Sequence, residues 1–463
     1  MRTDLALVTL VSCIGSCIVS CIVGLAIAAC SASDAKVDPL PSRTPEAGVP
    51  TPPDDPKVAG NVPCDVAKIL SEKCGACHSA TPEFGAPNPL VTMSDLYRVA
   101  KSDPSRKLYE LVAARVANDE RPMPPYPNAR LAESDRAIFA AWAAAGAPAS
   151  TSAADCSAKP PVVDPGVSCK PDLAIGPATP FAMQASAGDQ YVCYGVELSR
   201  PTPTHVTALA PRIDNTKIVH HVVLFEAEQA YSPTPTPCSA GGSVQWRMLT
   251  AWAPGGKGME LPPAAGFPLK TDGAGKTHYV VQMHYSNPQA LTGMVDQSGF
   301  DLCTAPPRQY EADVLAFGTQ NIDIPAGAAA YERTCNITVP QQLAGIHLFA
   351  VMPHMHKLGT AMKTELLAGG PAGASSDLGE VKAFSFDTQA WQSIQGLPGE
   401  TGVVTKTNDV IKTRCQWKNT TGAPVKFGEN TADEMCYSFT VYYPKIASPV
   451  WSWATPSFTS QCQ

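Results

Sequence analysis

Charge is scarce in this chain: only 16% of its 463 residues are Asp, Glu, Lys or Arg, and the formal net charge is −7. So thin a basic complement excludes nucleic acid as a partner, because a phosphate backbone needs a stripe of Lys and Arg to meet it. Long apolar runs are absent after Ala29, so no later segment is suited to cross a bilayer as a helix. What the chain has instead is 45 prolines and 34 glycines, a texture of short strands, turns and loops rather than long surface helices. Its length is too great for one domain and suggests two to four.

Sixteen cysteines demand a compartment. In a cytosolic protein they would point to zinc or redox thiols, and in an exported one mostly to disulfides. The N-terminus decides. Arg2 precedes an apolar stretch from Leu5 to Ala29 that ends Leu25-Ala26-Ile27-Ala28-Ala29-Cys30-Ser31. Small residues before a cysteine, with a Pro-rich segment behind it, resemble the lipobox of bacterial lipoprotein signal peptides. Residues 1–30 are then a signal peptide, and a lipidated Cys30 would anchor the chain in the bacterial cell envelope, on the periplasmic side of the outer membrane or at the cell surface. An uncleaved membrane anchor is the alternative. Either way the rest is exported and disulfides are allowed.

Residues 31–62 are rich in Pro, Ala and Asp without a hydrophobic period, as in a tether. Residues 63–148 turn helical. Val66, Ile69 and Leu70 form one stripe, Leu108, Leu111 and Val112 a second, and Leu131, Ile138, Phe139 and Trp142 a third, with Gly146 as C-cap. A second Pro/Ala/Ser stretch, 149–168, reads as a linker. Beyond it come alternating strands such as Val219 to Phe225, His278 to Tyr285, His347 to Val351 and Tyr437 to Tyr443, separated by turn signals such as Pro254-Gly255-Gly256. That pattern predicts β-sandwiches, two of them given the length: 169–308 and 309–463.

Six of the nine histidines fall into four short clusters. The first is Cys74-Gly75-Ala76-Cys77-His78, the attachment signal of c-type haem, in which two thiols form thioethers and the adjacent imidazole is an axial ligand. A thioredoxin-like CxxC would sit after a strand, whereas this one follows a helix start. Met123, between prolines in Arg121-Pro122-Met123-Pro124-Pro125, is the expected sixth ligand, with Met93 as alternative. The segment resembles a small class I cytochrome c domain.

The other clusters are His220-His221, His284 and His354-Met355-His356, with Met435 toward the C-terminus. Imidazole suits both copper oxidation states and thioether sulfur suits the cuprous one, so two histidines with a methionine describe a copper that meets dioxygen. His354 and His356 leave the same face of a strand. Met435 is expected to begin a partner strand whose Tyr437, Phe439 and Val441 wall the same pocket, with Cys436 directed to Cys415. Adjacent histidines point to opposite faces of a regular strand, so co-ligation by His220, His221 and His284 requires a strand end or a bulge. Zinc is the rival for three histidines. His205, His278 and His347 read as structural.

The motifs Val219-His220-His221-Val222-Val223-Leu224-Phe225, Ala251-Trp252-Ala253-Pro254-Gly255, Val281-Gln282-Met283-His284-Tyr285, Ile346-His347-Leu348-Phe349-Ala350 leading to His354-Met355-His356, and Asp433-Glu434-Met435-Cys436 with Tyr442-Tyr443 occur in order. From about Ala182 to Gln463 the chain resembles the copper type II, ascorbate-dependent monooxygenases. The resemblance implies two jelly-roll-like antiparallel β-sandwich domains, each holding one of two copper ions, behind the all-α cytochrome c domain and its single covalent haem c. By resemblance, His220, His221 and His284 hold the electron-transfer copper, and His354, His356 and Met435 the copper at which oxygen is activated. It also implies the disulfides Cys193–Cys238, Cys335–Cys462 and Cys415–Cys436. Cys64, Cys156, Cys169 and Cys303 are left over, of which Cys64 with Cys156 would clip the haem module. The peptide-hydroxylating member of the family places an arginine where this chain has Met352, so with Tyr437 and Phe439 the pocket reads as apolar and aromatic. The expected function is O2-dependent hydroxylation of a C–H bond in a small organic molecule. Electrons would come from ascorbate or a redox protein, through the fused haem. A non-catalytic haem and copper electron carrier, or a copper-holding lipoprotein, is the second reading.

Overall fold

The three helical stripes of the first module pack onto one another through their apolar faces. In the computed structural model α1 (Cys64–Ile69) runs into a π-helical turn, Leu70–Cys74, that delivers the CxxCH segment. Next come α2 (Met93–Tyr97), α3 (Leu108–Ala117) and α4 (Glu133–Ala144). Val66, Leu96, Leu108 and Phe139 meet in its core. The short α2 has no stripe of its own to announce it. Its signal is the capping box, in which Thr92 Oγ1 accepts from Asp95 N while the Asp95 carboxylate accepts from Thr92 N. Gly146, at φ +78°, ends α4: Ala147 N donates to Trp142 O and Gly146 N to Ala143 O, a Schellman closure. Cys64–Cys156 ties the start of the module to the chain leaving it.

The structure describes residues 58–446 except 101, 152–155, 157–165, 187, 240–242, 244–245, 387–388, 397–401 and 429–431, and also a strand at 460–462. The signal peptide with Cys30, and the tether as far as residue 57, lie outside the described residues. Among the described residues no helix is long and apolar enough to cross a membrane.

The rest is β-structure. The first β unit sets a six-stranded sheet against a five-stranded one. The five-stranded sheet carries, in space, β1 (Asp189–Leu198), β4 (Thr277–Ser286), β2 (Val219–Ala227) and β3 (Trp246–Trp252). Alternate residues of these strands, such as Val222, Leu224, Val281 and Met283, fill the core against Leu209, Phe267 and Phe300 of the other sheet. The intervening residues Val223, Phe225 and Val280 therefore emerge on the outer face. There they pack against Met352, Tyr437 and Phe439 of the second unit.

That second unit also has two five-stranded sheets, with a two-stranded ribbon beside them. One contains β5 (Asp313–Gly318), β6 (His347–His354) and β8 (Tyr437–Tyr443), with β8 in the middle. The other includes β7 (Val410–Trp417). Cys169–Cys303, Cys193–Cys238 and Cys415–Cys436 are formed. Cys335 is disulfide-bonded and stands opposite Cys462 in the ladder. Tyr310–Glu311 still pairs with the first unit and Asp313 begins the second, so the chain crosses between them at Ala312.

Candidate metal centres and the cavity between them

The ladder between β2 and β4 contains the irregularity that an adjacent histidine pair requires. His284 is opposite His221, but Tyr285 is opposite Val219, so His220 is the extra residue of a bulge. Val219 stays in the core while both imidazoles turn to the outer face, where His284 already points. Three Nδ1 atoms converge there, with His284 Nδ1 3.2 Å from that of His220 and 3.3 Å from that of His221. A tetrahedron drawn with metal–imidazole bonds of about 2.0 Å has an edge of about 3.3 Å, so the spacing is that of ligands around one first-row ion. The His284 ring is fixed by Tyr191, its neighbour on β1, stacked at 4.3 Å and 3°. Its Nε2 lies 3.5 Å from an Asp189 carboxylate oxygen, and the hydrogen bond from that imidazole is the main reason the Asp189 carboxyl is held down at about 2. Burial, reinforced by the two neighbouring rings, keeps His221 well below the usual imidazole range and hence neutral, as a metal ligand must be.

The second set uses the opposite ring nitrogen. His354 Nδ1–H donates to Gln389 Oε1 at 2.6 Å, and His356 Nδ1–H donates to the Asp433 carbonyl at 3.0 Å. These bonds select the tautomer whose lone pair is on Nε2. Burial, with His356 alongside, pushes His354 down to about 3. The two rings are 5.3 Å apart and perpendicular. Two positions differ from the sequence expectation. His354 closes its strand, so His356 lies beyond it, and Met435 precedes its strand, which starts at Tyr437. The cause is Glu434, whose carboxylate accepts from the backbone N–H groups of His356, Leu358 and Met435 and from Trp417 Nε1. Backbone that would have continued the ladders is gathered onto this one fully buried side chain.

His354, His356, Met435 and His221 all line one cavity of about 80 Å³. Its walls are Met352, Tyr437, Phe439, Trp246, Met248 and Phe225, and among the described residues no Asp, Glu, Lys or Arg lines it. Phe386 stands edge-on between the two centres, 6.2 Å from the His221 ring and 5.7 Å from the His356 ring. Nothing in the sequence singles out Phe386 or Gln389, which reach the site from a loop between strands. Val441, expected on the pocket wall, packs instead into the core of the first unit. His205, His278 and His347 lie away from both sets: His205 Nδ1 accepts from Arg308 N, His278 is beside Glu197, and His347 stacks on Tyr443.

In the helical module Cys74, Cys77, His78 and Met123 line a second cavity of about 160 Å³. Met93, the alternative sixth ligand, is instead in the module core. His78 Nδ1–H donates to Asn88 O at 2.7 Å, which leaves the lone pair on Nε2. Cys74 and Cys77 are unbridged, and burial pushes them up to about 12 and 11. A redox CxxC works through a depressed thiolate, so this pair does not suit thioredoxin chemistry. Two thiols, an oriented imidazole and a thioether around one cavity suit a covalently attached haem.

Cys415–Cys436 holds the residue next to Met435 against β7. Replacing both cysteines by alanine should lower stability by about 3 kcal/mol and weaken copper retention at the methionine set. Thermal melting with and without copper measures both effects.

Comparison with known proteins places this geometry in a family. Residues 179–292 match Copper type II ascorbate-dependent monooxygenase, N-terminal domain, and residues 310–457 match its C-terminal domain. DBH-like monooxygenase protein 1 of Gallus gallus is 28% identical over 273 residues, covering 52% of this chain and 42% of that protein. Tyramine beta-hydroxylase of Caenorhabditis briggsae is 29% identical over 259 residues, with 52% and 42% covered. Dopamine beta-hydroxylase of Bos taurus is 29% identical over 277 residues, with 55% and 44% covered. The chain thus spans less than half the length of these relatives. Its two β units match the N- and C-terminal domain models, and the chain belongs to the copper type II ascorbate-dependent monooxygenase family.

Proposed function

We propose that this chain is a copper monooxygenase that hydroxylates a C–H bond of a neutral, largely apolar small molecule with dioxygen, and that its helical module is a c-type cytochrome domain supplying the electrons. The observation that carries the reading is the shared cavity, onto which His221 of one β domain and His354, His356 and Met435 of the other all open. One copper would be held by His220, His221 and His284 through Nδ1, and the other by His354 and His356 through Nε2 with the Met435 thioether. Bound copper supplies one-electron redox chemistry and reactivity toward dioxygen.

The reaction consumes two electrons and two protons and releases one oxygen atom as water, so two one-electron stores match the demand. The chain's own contribution is positioning. Gln389 and the Asp433 carbonyl hold the two imidazoles in one tautomer and orientation. Met352, Tyr437 and Phe439 present an apolar wall that orders a substrate and excludes water. Relatives named for dopamine and tyramine act on amines, whereas among the described residues no carboxylate lines this cavity to pair with an ammonium group. This supports a neutral substrate. The Met352 position argues in the same way against a peptide carboxylate.

A haem would be held by thioethers to Cys74 and Cys77 with His78 and Met123 as its further ligands, and would supply one-electron transfer from ascorbate or a redox protein. The disulfides support export, and lipidation of Cys30 would fix the chain to the envelope. Metal analysis and a visible spectrum of the untethered protein should give two coppers and one haem per chain. With a panel of neutral arenes and alkanes under 18O2, one labelled oxygen should appear in product. Oxygen uptake with no product from any member would reject the hydroxylase reading.

A further inference from the structure

The loop that follows the CxxCH motif reaches the three-histidine centre. It is tied to the motif at both ends: Glu83 N donates to Cys77 O at 2.9 Å, His78 Nδ1 bonds Asn88 O, and Leu90 N donates to His78 O at 3.0 Å. Its tip is tied to the first β domain. Phe84 N donates to Thr216 O, the Phe84 ring stands edge-on to Trp252 at 5.9 Å, and Gln289 Nε2 donates to Ala86 O at 3.4 Å. Between these anchors Gly85 passes so close to His220 that a β-carbon on it would lie 3.1 Å from His220 Cδ2. Gly85 also has φ +73°, where a side chain is disfavoured. Glycine is therefore favoured on two counts at this point, by space and by backbone conformation.

We infer that the His78–Asn88 loop is the route by which electrons pass from the helical module to the three-histidine centre, with His220 as the receiving ligand. The inference rests on the cytochrome reading above and adds the path and the acceptor. From Cys77 the path is one hydrogen bond, the backbone of Glu83 to Gly85, and the narrow gap between Gly85 and the His220 imidazole. Each passage moves one electron: ferrous haem iron becomes ferric and cupric ion becomes cuprous. No bond is made or broken and no proton is needed. Two passages serve one turnover, each replenished by the reductant of the haem. Because the module is docked on the acceptor, transfer is intramolecular and independent of protein concentration.

The test uses the full chain loaded with haem and copper, without oxygen. The haem is reduced in a rapid mixing experiment, and its reoxidation by cupric ion is followed in the visible spectrum. Gly85→Ala lifts the loop from His220, and Phe84→Ala loosens its anchor on Trp252. Both should slow reoxidation at least about tenfold, within the roughly 100-fold that a 1 Å misplacement can cost. The haem spectrum should be unchanged in both, and the cupric EPR signal should shift only slightly in Gly85→Ala. Should one variant fold poorly, the other gives the answer, since they disturb the same loop at two separate points, Trp252 and His220. Reoxidation at the unaltered rate in a variant that retains haem and copper would overturn the route and leave the cytochrome reading standing. Absence of covalent haem from the mass spectrum of the unmodified protein would overturn both.

Discussion

Glu434→Ala should release copper from the His354–His356–Met435 set and cost the second β domain several kcal/mol. The side chain is fully buried and serves four donors, the N–H groups of His356, Leu358 and Met435 and the indole N–H of Trp417. Alanine leaves those buried groups without this acceptor, at about 1–3 kcal/mol for each donor left unpaired. It also loosens the segments bearing His356 and Met435, whose backbone N–H groups both bond this carboxylate, and leaves the His356 Nδ1–Asp433 O bond and the His354–Tyr437 pairing to hold them together. Burial outweighs the four donors and leaves the Glu434 carboxyl raised to about 7, and all four contacts it makes are with N–H groups. Glu434→Gln is the informative companion. With its amide oxygen in place of Oε2 it retains the bonds to His356, Trp417 and Met435, and turns its NH2 toward Leu358. The glutamine variant should therefore keep two coppers with a modest fall in melting temperature, and the alanine variant should bind one. Copper counting with melting curves of apo and loaded protein decides it; an alanine variant with both ions and an unaltered melt would show that the clamp does not matter.

Which parts of this site are legible in the sequence follows from where the determining contacts lie. His220 and His221 are adjacent, and adjacency alone demands an irregular strand if both are to face one ion; the ladder skips a residue there. The Tyr437–Tyr443 strand and the outward face of Val223, Phe225 and Val280 follow from period-two alternation. The position of Met435 was harder to read. Its sequence neighbours suggest that the strand begins there, but Glu434 satisfies the local backbone by side-chain bonds, and no local pattern reports a partner such as Trp417, 17 residues away. Phe386 is less legible still: it stands between two imidazoles only because two domains pack around its loop. The contact of Gly85 with His220 is of the same kind, since a glycine followed by alanine and proline reads simply as a turn. Sequence periodicity reports faces of strands and helices; it carries no information on which face of one domain meets which loop of another.

His284→Ala is the second substitution with a large expected effect. Its Nδ1 is the vertex common to both close nitrogen contacts, so without it His220 and His221 are left as a two-coordinate remnant. Loss of a mere outer-sphere partner lowers metal affinity about 10–100-fold, and loss of a direct donor should exceed that. Copper should fall from two per chain to one, with the cupric EPR signal of the remaining ion that of the histidine–methionine set. Steady-state hydroxylation should disappear, because one of the two one-electron stores is gone, while reductive loading of the other site and substrate binding in the Met352–Phe439 cavity persist. The fold should survive, since the imidazole faces outward from the domain core and its stacking partner Tyr191 belongs to a strand paired along its whole length with Thr277–Ser286. A structural zinc centre would respond differently, with unfolding of the first β domain and no change in copper. A variant that keeps two coppers and full turnover would remove the three-histidine set from the reaction altogether.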